Sequence, residues 1–218
     1  MNDYNYILLV DYGHGTRKYT AGKRSPDETL FEGEWNREVG KKIVDGMRGL
    51  GVEVIEVVPE DEDIPLQKRC ARVNKVVRDN PDKKCRFLSV HINAAPASSS
   101  PKGDGWVDNA SGCSVWVSNN CSPESVKMAH CYYDVVKEFG LKGNRSAPKE
   151  GVWRANFTVL AGTLCPAMLT ENLFMTNHKE VEFLKSEEGK ETIANMHICA
   201  LCKYMGLPYA LVTAEREK

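Results

Sequence analysis

Short apolar runs and longer amphipathic stretches alternate along this 218-residue chain. The first run, residues 6–10, is aliphatic and too short for a buried helix, which is typical of a strand covered on both faces. Within residues 31–50 the apolar side chains recur every three or four positions, which indicates a helix with one buried face. Further strands are predicted at 52–58, 87–93, 113–118, 157–160 and 167–170, and further helices at 65–80, 123–139, 179–184 and 188–205.

The alternation of strands and helices predicts a single α/β domain with a mostly parallel sheet, because parallel strands need crossover connections. Hydrophobic residues make up 42% of the chain, which is enough for a sizeable core. The basic side chains of the helix at 65–80, Arg69 among them, are expected on its exposed face. The loop at 94–112 leaves the third strand directly, so we expect it to border any site at the end of that strand.

Charge and hydropathy exclude several classes of function. The formal net charge of -1 gives no electrostatic reason to expect nucleic acid or an anionic membrane as a partner. No apolar run is long enough to cross a bilayer, so no membrane insertion is expected. The N-terminus lacks the basic region of a signal peptide, which predicts synthesis in the cytoplasm without an export signal.

The chain has eight cysteines, and without an export signal we expect free thiols. Cys199 and Cys202 form a C-x-x-C pair shortly after His197. Their surroundings have apolar residues at helical spacing, so the pattern predicts packing inside a helix. A structural zinc site would need a second ligand pair of matching spacing, and the sequence has none.

A histidine between two glycines directly follows the first strand, in the stretch VDYGHG at residues 10–15. This residue, His14, lies at the carboxyl end of a buried strand, where α/β sheets bind ligands. His91 lies near the end of the third strand, and Glu171 directly follows the strand at 167–170. At 100° per residue, Glu32 falls on the inward face of the first helix, whereas Glu34 falls roughly opposite and faces solvent.

His14, Glu32, His91 and Glu171 are therefore expected to converge on one crevice at the edge of the sheet. Two imidazoles and one carboxylate are a typical catalytic zinc set that leaves one position open for water. A further carboxylate can take a proton from that water as a general base. Each residue alone is also compatible with an ordinary structural role, and the prediction depends on the agreement among four separate elements.

Four motifs, in this order, resemble those of the zinc-dependent N-acetylmuramoyl-L-alanine amidases, the type-3 amidase family of cell-wall hydrolases. The family's D-x-G-H-G appears at 11–15, with Tyr12 where members usually have proline. Its E-x-x-x-N appears at 32–36 and its S-x-H-x-N-A at 89–94. Its P-x-x-L-x-E appears at 166–171, followed by Asn172 and Asn177.

By this resemblance, His14, Glu32 and His91 hold Zn²⁺, and Glu171 is the catalytic base. The resemblance implies hydrolysis of the amide that joins the lactyl group of N-acetylmuramic acid to L-alanine in peptidoglycan. It also implies a central twisted sheet of about six strands flanked by helices.

The resemblance further implies a catalytic domain at 1–206 and a short C-terminal tail at 207–218, with no separate wall-binding domain. Without an export signal, such a domain suits a bacteriophage endolysin that is made in the cytoplasm and acts on the cell wall after release, although a shortened bacterial enzyme would have the same sequence features. Arg145 and Arg154 are candidates to meet carboxylates of the stem peptide, although each also fits an ordinary surface arginine. Asn93 either orients the substrate or closes the strand end.

Three other functions remain open from the sequence. A zinc carboxypeptidase or endopeptidase acting within the stem peptide would use a similar metal set. A non-catalytic peptidoglycan-binding module would require a lost ligand or base, and all four positions are intact. A redox protein would use Cys199 and Cys202, but no thioredoxin-like strand precedes them. The oligomeric state is not predicted.

Overall fold

A six-stranded sheet forms the centre of the computed structural model, which describes residues 4–144, 148 and 151–208. In chain order the strands are β1 (Tyr6–Tyr12), β2 (Glu53–Glu56), β3 (Lys84–Asn93), β4 (Ser114–Val117), β5 (Trp153–Arg154) and β6 (Ala167–Phe174). The helices are α1 (Glu32–Gly49), α2 (Leu66–Asp79), α3 (Pro123–Glu138), α4 (Thr158–Ala161), α5 (His178–Lys185) and α6 (Glu187–Met205).

The strands lie side by side in the order β2-β1-β3-β6-β4-β5. β4 runs antiparallel to β6, and every other neighbouring pair is parallel. The predicted α/β architecture with a mostly parallel sheet is therefore confirmed. β1 and β3 lie inside the sheet with neighbours on both sides, and β1 accordingly begins with the apolar run of residues 6–10.

Helices cover both faces of the sheet, and each face has its own hydrophobic core. On one face α1, α3, α5 and α6 pack over the even-numbered positions of β1, such as Leu8 and Val10. On the other face α2 and α4 pack over Ile7 and Leu9. Because side chains alternate along a strand, the polar Asp11 belongs to the α2–α4 face.

The predicted strand at 157–160 is wrong, because residues Thr158–Ala161 form the single-turn helix α4. A four-residue apolar run fits either structure, and here Val159 and Leu160 both turn inward against the α2 side of the core. The hydroxyl of Thr163 donates to the carbonyl of Val159 at 3.1 Å and helps to end the turn. The fifth strand is instead β5, whose two residues are too few to produce an alternating pattern.

Helix α6 contains Cys199 and Cys202, both buried, which confirms the prediction that they pack inside a helix. All eight cysteines belong to the described residues and carry free thiols. Burial raises the pKa of Cys202 to about 11, so this thiol is protonated at neutral pH. The pair lacks the lowered pKa that is typical of redox-active thiols.

Two parts of the sequence prediction lie outside the described residues: Arg145, and positions 209–218 of the predicted tail. None of the helices in the described part of the chain combines the length and the apolar character needed to cross a membrane.

Candidate metal centre and crevice

Four backbone segments bring the predicted site residues to the carboxyl edge of the sheet. His14 lies two residues beyond β1, in a left-handed conformation with φ of 60°. Glu32 is the first residue of α1, His91 lies in β3 and Glu171 lies in β6. His91 and Glu171 are paired across the parallel β3–β6 ladder, so their side chains leave the same face of the sheet.

Glu32 lies between the two histidines. One of its carboxylate oxygens, Oε1, is 3.0 Å from Nδ1 of His91 and also accepts the backbone amide of Ile92 at 3.2 Å. The other, Oε2, is 3.5 Å from Nε2 of His14. The possible ligand atoms of His14, Glu32 and His91 all lie within 4.8 Å of one another.

Burial and charge set the protonation of this cluster. Burial lowers the pKa of His14 to about 4, so the ring is neutral at pH 7. Burial alone would favour a protonated Glu32, but the hydrogen bond from His91 and the charge of both rings hold its pKa below the usual value. Burial likewise opposes a charged His91, but the hydrogen bond and charge of Glu32 raise its pKa. The two opposite shifts favour the hydrogen-bonded pair of Glu32 and His91, and a metal ligand must be in its deprotonated form.

The donor set and its spacing fit zinc. Zinc takes imidazole nitrogen and carboxylate oxygen at about 2.0–2.2 Å, and tetrahedral geometry then places neighbouring ligand atoms roughly 3.3–3.6 Å apart. The separations of 3.0 Å and 3.5 Å around Glu32 are close to this range. Three protein ligands also leave a coordination position open, as in catalytic zinc sites.

Two glycines allow the close approach that creates the cluster. A Cβ on Gly13 would lie 2.2 Å from Cε1 of the His91 ring. A Cβ on Gly33 would lie 1.8 Å from the carbonyl oxygen of Gly15, so it would push the start of α1 away from the loop that carries His14. At both positions glycine is required because there is no room for a Cβ atom.

Arg69 is the largest departure from the sequence prediction near the site. It was expected on an exposed face, but it is 1% exposed and forms an ion pair with Asp11 at 3.0 Å. Its guanidinium also donates to the carbonyl of Tyr12 at 2.8 Å and to Asp63 at 2.9 Å. The second oxygen of Asp11 accepts the hydroxyl of Ser89 at 2.6 Å. This buried group supports the ends of β1 and β3 directly beneath the crevice.

Three further polar residues fix the segments that carry the cluster. Asn36 donates to the carbonyl of Gly13 at 3.0 Å. Arg37 donates to the carbonyl of His14 at 2.9 Å. Asn172 donates to the carbonyl of His91 at 2.8 Å and accepts the hydroxyl of Tyr132. Asn36 and Asn172 belong to the motifs that carried the family resemblance, whereas Arg37 had no sequence signal.

A crevice of about 540 Å³ opens over the α2–α4 face of the sheet, a size typical of ligand sites. His14, His91 and Glu171 lie along it, with Lys23 at its rim. The opposite wall is largely apolar and consists of Ile64, Pro65, Leu66, Phe157 and Val159.

Two of the three substrate-binding candidates, Asn93 and Arg154, belong to the described residues, and neither lines the crevice. Asn93 closes β3, and its side chain accepts the amide of Ala94. Arg154 lies on the edge strand β5 and donates to the sulfur of Cys121 at 3.3 Å, outside the crevice lining. The loop at 94–112 also lies outside that lining, contrary to expectation, because it is fastened to the start of α5 through Asn177.

The predicted contrast between the two glutamates of the first helix turn is confirmed in their exposure. Glu32 is 2% exposed and contributes to the cluster. The side chain of Glu34 is 29% exposed and forms a bidentate ion pair with Arg17, at 2.7 Å and 2.8 Å. Glu34 therefore faces away from the crevice.

The sequence model of a protein family described as N-acetylmuramoyl-L-alanine amidase matches residues 8–203. The chain is 25% identical over 205 residues to the endolysin of Bacillus phage SPP1, a match that covers 92% of this chain and 66% of that protein. The chain thus spans about two thirds of the length of that relative.

Solved structures of amidases share the fold. The catalytic domain of the amidase CwlV from Bacillus (Paenibacillus) polymyxa var. colistinus has a TM-score of 0.71 at 22% identity, covering 93% of this chain and 99% of that one. The N-acetylmuramyl-L-alanine amidase of Mycobacterium smegmatis has a TM-score of 0.77 at 17% identity, covering 94% and 99%.

Proposed function

Because the chain belongs to the family of N-acetylmuramoyl-L-alanine amidases, we propose that it cleaves peptidoglycan at the amide between the lactyl group of N-acetylmuramic acid and L-alanine. We further propose that it does so with zinc held by His14, Glu32 and His91 and with Glu171 as the base. Residues 1–206 are the proposed catalytic unit. The similarity to a phage endolysin supports a role in lysis of the cell wall.

The convergence of three ligand atoms beside Glu171 is the observation that carries the proposal. The three ligand residues come from separate segments, yet their donor atoms lie within 4.8 Å of one another. Glu171 is held next to His91 by the strand register, and its negative charge contributes to the raised pKa of His91. The proposed base and two of the proposed ligands, His14 and His91, thus line the same crevice of about 540 Å³.

The chemistry that zinc supplies in such a site is Lewis-acid polarisation of the scissile carbonyl together with a lowered pKa of water. The residues of the chain supply the rest. Neutral His14 and ionised Glu32 offer lone pairs to the cation. Glu171 accepts a proton as water adds to the carbonyl carbon, and it returns the proton to the nitrogen as the carbon–nitrogen bond breaks. The products are a lactyl carboxylate and a peptide with a free L-alanine amine.

The test is digestion of purified sacculi by zinc-loaded protein, with the new termini identified by mass spectrometry. Wild-type protein is expected to release peptides that begin with a free L-alanine amine. Glu171→Gln preserves shape but cannot accept the proton, so the rate should fall by about 10²–10⁴-fold while the zinc content stays at one per chain.

Elemental analysis of the same preparations shows whether Glu171 acts as the base or as a metal ligand. Loss of zinc from Glu171→Gln would make Glu171 a ligand, and normal turnover would leave it without a catalytic role. New termini inside the stem peptide, with the lactyl–alanine amide intact, would identify a carboxypeptidase or endopeptidase instead.

A further inference from the structure

The cations near the crevice are nearly all bound within the protein. Arg69 uses its guanidinium on Asp11, on Asp63 and on backbone carbonyls. Arg37 donates to three backbone carbonyls, and Arg17 is paired with Glu34. Lys23 differs, because within residues 4–144, 148 and 151–208 its ammonium group forms no ion pair with a carboxylate.

The backbone of Lys23 is hydrogen-bonded to Glu32, one of the three candidate metal ligands. Its carbonyl accepts the amide of Glu32 at 2.9 Å, and its own amide donates to Thr20 at 3.1 Å. The side chain is exposed at the rim of the crevice, and its positive charge acts on both His14 and Glu32. The ammonium group is therefore held near the cluster while it stays free to bind an anion from solution.

The two walls of the crevice differ in chemistry. The segments around the starts of α2 and α4 contribute the apolar residues Ile64, Leu66, Phe157 and Val159, whereas the charge of Lys23 acts on His14. A fitting ligand presents a small apolar group near the reacting amide and a carboxylate close by. The stem peptide of peptidoglycan has this order, because L-alanine is followed by a glutamate whose α-carboxyl group is either free or amidated.

We propose that Lys23 binds the free α-carboxylate of that glutamate, so that the enzyme favours stem peptides with the free acid over amidated ones. This inference rests on the proposed function and specifies its substrate. A lysine at the rim forms a charge-assisted contact that solvent partly screens, so the expected preference in kcat/KM is about fivefold.

The experiment uses two soluble muramyl peptides that differ only in whether the α-carboxyl group is free or amidated. Wild-type enzyme should prefer the free acid about fivefold, and the preference should shrink as salt is added, because salt screens the contact. Lys23→Met should cleave both peptides at the rate that wild type shows on the amidated one. Lys23→Arg should keep the preference, and so should the matched control Lys18→Met, whose lysine lies over Tyr19 and outside the crevice lining.

Binding of the same two peptides to zinc-loaded Glu171→Gln, measured by calorimetry, separates this inference from the proposed function. If the variant binds the free acid more tightly but wild type hydrolyses neither peptide, the result would support carboxylate binding by Lys23 and contradict the proposed amide hydrolysis. Equal binding of the two peptides, or a preference that persists in Lys23→Met, would overturn the inference.

Discussion

The crevice edge and the interior beneath α6 each contain a histidine whose pKa is lowered by burial to about 4: His14 and His197. His197 is fully buried, and both of its ring nitrogens are bound inside the protein. Its Nδ1 donates to the carbonyl of Ile193 at 2.8 Å, so Nε2 accepts the hydroxyl of Thr170 at 3.0 Å. His14 instead directs Nε2 at Glu32 across 3.5 Å, beside an open crevice.

This contrast shows that a lowered pKa does not by itself identify a functional histidine. Burial produces the same shift in both regions, because it penalises the charged ring wherever water is excluded. The regions differ in the chemical groups that the ring nitrogens contact. A hydroxyl and a carbonyl complete the hydrogen bonds of His197, whereas the shared carboxylate of Glu32 brings His14 and His91 together as a candidate metal site.

Removal of the shared carboxylate should have the largest effect. Glu32→Ala is expected to lose zinc and all measurable hydrolysis, because even residues that only support metal ligands cost about 10–100-fold in metal affinity when changed. Glu34→Ala, in the same helix turn, should keep both zinc and activity. Elemental analysis and sacculus digestion measure the two variants, and equal losses would contradict the assignment of Glu32.

The buried ion pair of Arg69 and Asp11 should contribute to the free energy of unfolding. Arg69→Met leaves Asp11 buried without its cation, which costs about 3–5 kcal/mol of unfolding free energy. The matched control is Arg72→Met, in the same helix, whose half-buried pair with Glu60 is worth about 1 kcal/mol. Urea unfolding of the metal-free proteins gives both values. Similar losses in the two variants would show that burial of Arg69 contributes little.

The interior histidine should make stability depend on pH. Unfolded chains protonate His197 below pH 6.5, whereas the folded protein protonates it only near pH 4. Stability should therefore fall by about 3 kcal/mol as the pH drops from 6.5 to 4 and should be unaffected by this residue above pH 6.5. Unfolding measured across this range should give a flatter profile for His197→Gln, and an unchanged slope would contradict the argument.

The thiols of α6 should show the smallest effect. Replacement of both Cys199 and Cys202 by alanine removes two buried sulfur atoms, which costs about 1–2 kcal/mol in total. Zinc content and hydrolysis should stay at wild-type levels at moderate temperature. A folded double variant that loses zinc or activity would restore a functional role for the pair.

Local patterns in the sequence were sufficient for five of the six strands, all but β5, and for the candidate ligands. The first strand has an apolar run at 6–10, and His14 follows its end. Glu171 was expected just beyond a strand, but β6 continues through it to Phe174. The strand can continue through these polar residues because each has a polar environment. Glu171 faces the crevice, and Asn172 is buried and accepts a hydrogen bond from Tyr132. Polar residues with such partners are compatible with a strand that periodicity alone would end earlier.

Arg69 could not be predicted as buried, because its position depends on residues distant in sequence. The carboxylate that compensates it, Asp11, lies 58 positions earlier in another element. Amphipathic patterns place cations on the solvent face of a helix by default. The position of Lys23 at the rim likewise depends on a loop whose path is set by backbone hydrogen bonds rather than by hydrophobic pattern.

The glycine contacts at Gly13 and Gly33 limit how this centre could be transplanted into another scaffold. A designer who copied only the three ligand side chains would meet a collision at each glycine position, with a ring at one and a carbonyl oxygen at the other. The smallest portable unit therefore includes both glycines and the two backbone segments that they bring together. Libraries that vary these two positions should yield folded, metal-free proteins far more often than new metal specificities.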